Sequence, residues 1–371
     1  MSAKKILILG AGNAQIDAIE YCKAQGYEVI GCSYTNTDHG IPLLDHFKQV
    51  NICDLSGVAD LAGEYQADAI YSVGSDLAIP TVMKASEMLG LPHFISSGTA
   101  DICHEKHLLR EALGRDFEGN APFITCSCLT EALTFTAFPG MMKPVDSQGQ
   151  RGCFRVDSAE EIREKFADSL SYSLRGKVII ESYIEGPEVS VNAYFQDGKL
   201  KFGLVSDRIT FDEYPGGIIK KHVLPSRFAD KAAREACIDL TVRIAEKVGI
   251  SNGPCYCQIK LDQGHPVILE VAPRLDGCHM WRLIRTYCGV DLLAASFKHL
   301  LEGEDVLPGP FSFPDQTCEL EFLSEETGAV VDRSRFDLSG AEYARWYYED
   351  GERVGRITGY IEKCGYAIRK L

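Results

Sequence analysis

The sequence predicts an α/β protein of more than one lobe that ends in a small β-rich segment. Three observations carry this. Near the N-terminus apolar strand runs alternate with helical stretches, the pattern of a parallel sheet with right-handed crossovers. Tyr256–Gly277 reads as two short apolar runs joined by Asp262-Gln263-Gly264-His265, a hairpin signal. Beyond the Pro-rich boundary Pro308–Pro314 only short strand patterns remain.

At 371 residues the chain is long enough for two or three domains and a sizeable core. Its 45% hydrophobic and 25% charged residues are those of a soluble globular protein. A net charge of −15 argues against nucleic acid or an anionic membrane as partner. No apolar run approaches bilayer length and no signal peptide precedes Lys4-Lys5-Ile6, so a cytoplasmic protein is expected. The fourteen cysteines include no C-x-x-C pair, so structural zinc is not expected and most thiols should be small buried hydrophobes.

Taken in order, Lys4–Gly10 is a strand, Gly10–Gln15 a tight turn, and a helix runs through Ala24. Tyr27–Ser33 and Ala67–Val73 are further strands, and Ser75–Leu89 a helix. The G-x-G turn lacks the third glycine of a dinucleotide fingerprint, which is Gln15 here. The second strand ends in Cys32-Ser33 rather than an acid, so a turn without a dinucleotide is expected. Thr99–Leu113 is a helix capped by Thr99, with Lys106 and Arg110 on one face. Pro122–Thr125 is a strand and Thr130–Ala137 a helix. Gly140–Val145 places Lys143 in an apolar run, costly unless its charge is used, and Pro144 suits a strand end. Asp146–Gly152 is a glycine-containing loop whose N–H groups can close on phosphate oxygens.

Lys177–Ile184 is an apolar strand, Glu185-Gly186-Pro187 a turn and Glu188–Val191 a strand; such a strand with free backbone groups can match the flat face and polar edge of adenine. Strands follow at Lys201–Val205 and Arg208–Phe211, with Arg208 and His222 as pocket candidates. Arg227–Val248 is a long amphipathic helix. In the hairpin, a turn centred on Gly264 sets Gln258 across from Glu270. Alternation then puts Glu270, Ala272 and Arg274 on one face, with Leu269 and Val271 turned to a core. Gly277 to Arg282 opens a helix whose N-terminus favours an anion. Asp291–Leu301 is a further helix. The remainder holds strands at Thr317–Phe322, Arg353–Ile361 and Gly365–Arg369.

Several of these pieces, in this order, resemble the ATP-grasp ligases over nearly the whole chain: Lys106 with Arg110, Lys143-Pro144, the glycine-containing loop, Glu181-x-x-Ile184-x-Gly186-x-Glu188, and Glu270-x-Ala272-x-Arg274-x-x-Gly277. The resemblance implies an ATP-grasp fold. Residues 1–95 would form a Rossmann-like N-terminal domain, 96–305 the ATP-grasp domain with a lid lobe of about 116–184, and 306–371 a β-rich C-terminal subdomain. It implies ATP with Mg²⁺, or Mn²⁺ in its place. Lys106, Lys143, Gln148, Gly149, Glu181, Ser182, Tyr183, Ile184 and Glu188 would hold the nucleotide. Glu270 and Gln258 would hold the metal, and Lys143 and Arg274 would be catalytic. Arg274, Asp276, His279, Arg282, Arg208 and His222 would meet the second substrate, helped by Gly10–Gln15 and Gly74-Ser75-Asp76. The implied reaction joins a small-molecule carboxylate, an amino acid among the options, to an amine through an acylphosphate. Alternatives are a bicarbonate-using enzyme of the biotin-carboxylase or carbamoyl-phosphate type, and a nucleotide-binding protein with reduced turnover. Homodimers are common among such ligases. Two departures weaken the metal site: Gln258 where the family has an acid, and Ala272 where it has Asn. Mg²⁺ prefers anionic oxygens, so the site should be less negative than usual.

Overall fold

A computed structural model describes residues 3–146, 151–214, 217–355 and 359–371. The N-terminal alternation becomes a four-stranded parallel sheet of β1 (Lys5–Leu9), β2 (Glu28–Ser33), β3 (His46–Gln49) and β4 (Ala69–Tyr71), in the order β3-β2-β1-β4. Ile6, Leu7, Ile8 and Leu9 are fully buried because helices cover both faces of a parallel sheet. In the turn after β1, the Gln15 carboxamide accepts from the Gly12 N–H at 3.0 Å and donates to the Val73 carbonyl. Gln15 thus fills the turn with its own side chain.

The helix expected over Thr99–Leu113 is broken. Ser97–His104 and Lys106–Leu113 are separate helices, with Glu105 extended between them at φ −101°, ψ 115°. Ser96, not Thr99, caps the first, accepting from the Thr99 N–H at 3.1 Å. The buried Glu105 carboxylate ion-pairs with Arg175. The break makes Lys106 the first residue of a new helix.

Next comes an antiparallel sheet of β5 (Phe123–Cys126), β6 (Gly140–Pro144), β7 (Phe154–Val156) and β8 (Val178–Ser182), ordered β5-β8-β6-β7. Helix Ala159–Ser171 packs on it, and Met142, Val156, Ile162, Phe166, Val178 and Ile180 give it a small core of its own. The helix expected at Thr130–Ala137 shrinks to one turn, Leu129–Ala132.

The largest sheet has eight strands: β9 (Glu188–Gln196), β10 (Lys199–Thr210), β11 (Ile219–Leu224), β12 (Gly253–Asp262), β13 (His265–Ala272), β14 (Cys318–Glu326), β15 (Ala341–Trp346) and β16 (Ile361–Lys370). Their order is β13-β12-β9-β10-β11-β14-β16-β15. The two strands expected between Lys201 and Phe211 are one. The C-terminal strands continue this sheet through the β11–β14 pairing and do not form a layer apart. Strand β15, AEYARW, carries charges and is only partly buried, so it left no strand signal in the sequence. Helix Lys231–Val248, capped by Asp230, packs on the sheet, as do Met280–Cys288 and Leu292–Glu302. Among the described residues, no helix is long and apolar enough to cross a membrane.

The hairpin has the expected register, Gln258 opposite Glu270. Gln263 and Gly264 both have positive φ, 49° and 88°, as a two-residue type I′ turn requires. The register shifts between Gln258 and Ile259, a bulge that places one extra residue on β13. Contrary to strict alternation, Ile268 enters the core and Leu269 turns outward beside Glu270.

Candidate active site

The lid sheet, the Lys106 helix and the eight-stranded sheet enclose a cavity of about 690 Å³. Each wall brings one chemical element. From the helix side come Lys106, Arg110 and His104; from the lid, Lys143, Arg155 and the segment Glu181–Ile184; from the large sheet, Glu188, Arg208, Gln258, Lys260, Leu269 and Glu270. Gly74, Ser75 and Asp76 of the N-terminal domain close one end, whereas Gly10–Gln15 does not reach the cavity. Gly74 has φ +66°, and a Cβ there would lie 2.5 Å from the Gly277 Cα, so two glycines let these loops touch.

The charges on the walls are organised in pairs. Glu181, 4% exposed, receives the Arg110 guanidinium on Oε1 and the Lys143 ammonium on Oε2. Burial alone would raise its pKa, but these two cations outweigh it and hold the carboxyl down at about 2. Lys143 is thus presented at the cavity wall by Glu181. Glu188 is bound by Arg208 and by Gln258 Nε2 at 2.9 Å. Lys106, Lys260 and Glu270 have no ion-pair partner among the described residues, which leaves two cations and one anion facing the cavity.

The segment expected to bind adenine is largely self-satisfied. The N–H groups of Ser182 and Tyr183 donate to Pro122 (2.9 Å) and Pro139 (2.7 Å) carbonyls. The N–H of Ile184 has no partner among the described residues, so it is the donor this segment leaves open. The Ile184 carbonyl accepts from Lys260 at 3.0 Å. Arg155 and Lys260 lie 4.6 and 5.1 Å from the Tyr183 ring centroid and line the cavity. Neither stood out in the sequence, because each is a lone cation on a strand. Gln148 and Gly149 lie outside the described residues, and Arg151 does not line the cavity.

The expected second-substrate set divides. Only Arg208 lines the cavity. Arg274, 8% exposed, sits behind the wall and grips Asp76 through two bonds, Nε–Oδ1 at 2.7 Å and Nη2–Oδ2 at 2.6 Å. Burial would raise the Asp76 pKa, but Arg274 above all, with His104 and Lys106, lowers it. His279 and Arg282 are drawn away from the cavity. His279 Nδ1 meets Asp17 Oδ2 at 2.7 Å and its Nε2 meets the Tyr347 hydroxyl at 2.6 Å. Arg282 bonds Asp17 Oδ1 at 3.0 Å and lies over the Trp281 and Tyr343 rings. Arg345 also binds Asp17, so this carboxylate, 2% exposed, ties the first helix to the C-terminal strands. Burial would raise it, but His279 and Arg282 hold it at about 2. These partners are why His279 and Arg282 belong to a domain junction and not to the cavity. His222 and Asp276 are enclosed elsewhere, under the loop that follows the hairpin.

A divalent cation fits Glu270 and Gln258. The Gln258 amide nitrogen is committed to Glu188, which leaves its carbonyl oxygen, beside the Glu270 carboxylate, as a second oxygen for an ion. One anionic and one neutral oxygen suit Mg²⁺, which keeps waters and takes the rest of its shell from phosphate. Ala272 adds nothing.

Residues 136–281 match the model of the ATP-grasp domain. The solved L-amino acid ligase of Bacillus licheniformis superposes with a TM-score of 0.81 at 17% identity, over 100% of this chain and 94% of that one. The chain has the ATP-grasp fold. The uncharacterized protein y4rH of Sinorhizobium fredii is 22% identical over 98% of this chain and 72% of its own length. Carnosine synthase 1 of Mus musculus is 25% identical over 63% of this chain. D-alanine–D-alanine ligase of Pseudomonas putida is 26% identical over 50%. The chain spans 31% and 59% of these last two relatives. The family and fold expected from the sequence are those the comparisons return.

Proposed function

We propose that this chain is an ATP-dependent ligase that joins a small-molecule carboxylate to an amine and releases ADP and phosphate. The observation that carries the reading is the single cavity on which Lys106, Lys143, Ile184, Glu188, Gln258 and Glu270 converge. Lys106 and Lys143 offset triphosphate charge, Ile184 offers its N–H to the base, and Glu188 accepts from the ribose hydroxyls. Mg²⁺ at Glu270 and Gln258 supplies charge neutralisation when bound. Arg274 enters once Asp76 yields it. A substrate carboxylate oxygen attacks the γ-phosphorus as the bond to the β-bridging oxygen breaks, giving an acylphosphate and ADP. The amine nitrogen then attacks the acyl carbon, phosphate leaves, and the nitrogen loses a proton. The chain's residues contribute position and charge, with no covalent enzyme intermediate. The D-alanine–D-alanine ligase and L-amino acid ligase among its relatives favour amino acids as both substrates.

The test is ADP release by purified protein with ATP, Mg²⁺ and amino acids supplied singly and in pairs, with products read by mass spectrometry. A pair-dependent rate and a dipeptide mass are expected. ATP binding without any substrate-dependent ADP would overturn the ligase reading. ADP release driven by bicarbonate alone would replace it with carboxylase-type chemistry.

A further inference from the structure

The loop that leaves the hairpin carries a second polar cluster, apart from the nucleotide cavity. His222 on β11, Asp276 and Cys278 are all buried, and one donor atom from each lies within 4.8 Å of the other two. His222 is 0% exposed, and neither ring nitrogen has a hydrogen-bond partner. Asp276 Oδ1 accepts from the Cys278 N–H at 2.9 Å, while its Oδ2 has no partner. An unsatisfied buried polar atom is costly, so an imidazole and a carboxylate left open at one spot point to a shared ligand.

The donors say which ligand. Imidazole nitrogen, carboxylate oxygen and cysteine sulfur together select a borderline-soft cation over Mg²⁺. We propose that His222, Asp276 and Cys278 form a binding site for a zinc-class divalent cation, separate from the Glu270–Gln258 pair. The charge balances: a neutral imidazole, one carboxylate and one thiolate cancel a double positive charge. Burial pushes His222 down to about 4, which keeps the imidazole in its ligating form. Burial pushes the Cys278 thiol up to about 11, so the S–H proton is released to solvent as the sulfur–metal bond forms. Asp276 is oriented by the Cys278 N–H. Lys363 Nζ lies 4.0 Å from Cys278 Sγ and over the Phe322 ring, and it and Arg208 are the cations beside the cluster. Three protein ligands leave a fourth position for water or a small anion. Cysteine spacing could not reveal this site, because its ligands come from a strand and a distant loop.

The experiment strips the purified full chain with chelator, reloads it with Zn²⁺ or Co²⁺, and counts bound metal by mass spectrometry. Cobalt adds a thiolate-to-metal band in the near ultraviolet. One equivalent per chain is expected, with that band. Cys278→Ser should abolish the band, and His222→Gln should weaken binding on the order of 100-fold, while Glu270→Gln leaves both intact. Circular dichroism of the metal-free variants checks folding. No retained equivalent and no band in the unmodified protein would overturn the proposal without any variant. So would binding lost only with Glu270→Gln, which would put the ion in the nucleotide cavity.

Discussion

Replacing Glu181 with glutamine tests how the lid is held. The perturbation removes one buried negative charge and leaves Arg110 and Lys143 uncompensated. A fall from the ordinary 4.5 to about 2, at ~1.4 kcal/mol for each pH unit, amounts to roughly 3 kcal/mol. That agrees with the ~3–5 kcal/mol expected on breaking a buried ion pair by removing one partner. The folded value lies below the unfolded one. The contribution is therefore complete above about pH 4.5 and is lost as pH falls through about 2. The chain has several lobes, so global unfolding is a poor gauge. Native-state hydrogen exchange at the amides of β5, β6 and β8 reports the local opening free energy instead. At neutral pH, Glu181→Gln should lower it by roughly 3 kcal/mol, and the two proteins should converge as pH approaches 2. A loss below about 1 kcal/mol, the range of an exposed pair, would refute the reasoning.

Further outcomes follow from single residues. Lys106→Ala should weaken ATP binding about 10–100-fold, the worth of one charge-assisted bond to phosphate, with thermal stability unchanged because Lys106 has no ion-pair partner; calorimetric titration and a melting curve read the two effects. Gln258→Glu should lower the Mg²⁺ concentration for half-maximal ADP release about tenfold, since it adds an anionic oxygen beside Glu270. Asp17→Asn should lower the melting temperature by several degrees at pH 7. The carboxyl is held at about 2, below its ordinary 3.8, so its contribution is present at neutral pH and fades only as pH falls through about 2. Gly74→Ala should lower the melting temperature as well, because the new methyl meets the Gly277 backbone and the φ of +66° disfavours a side chain.

Where the sequence was legible, local chemistry was enough. Gly264 set the turn, and the alternation of the N-terminal runs set the parallel sheet; Gln258 meets Glu270 as expected, but only through the added step of the bulge. Where it failed, the deciding partner was far away. The bulge that turns Leu269 outward is a property of the β12–β13 pairing, not of either strand alone. The break at Glu105 coincides with an ion pair to Arg175 across the lid. His279 and Arg282 read as pocket residues because Asp17, their common partner, precedes them by more than 260 positions. Lys143 and Glu181 each carried a signal, but their joining across β6 and β8 did not.

The eight-stranded sheet has a practical consequence for anyone cutting this chain. Truncation near residue 305, a natural choice from the Pro-rich boundary, would strip β14 from β11 and leave a bare row of backbone donors and acceptors. Such a fragment should self-associate edge to edge. The C-terminal strands are thus a cover for that flank of the sheet, and excising residues 1–305 alone would yield an aggregating protein even with every cavity-lining side chain intact.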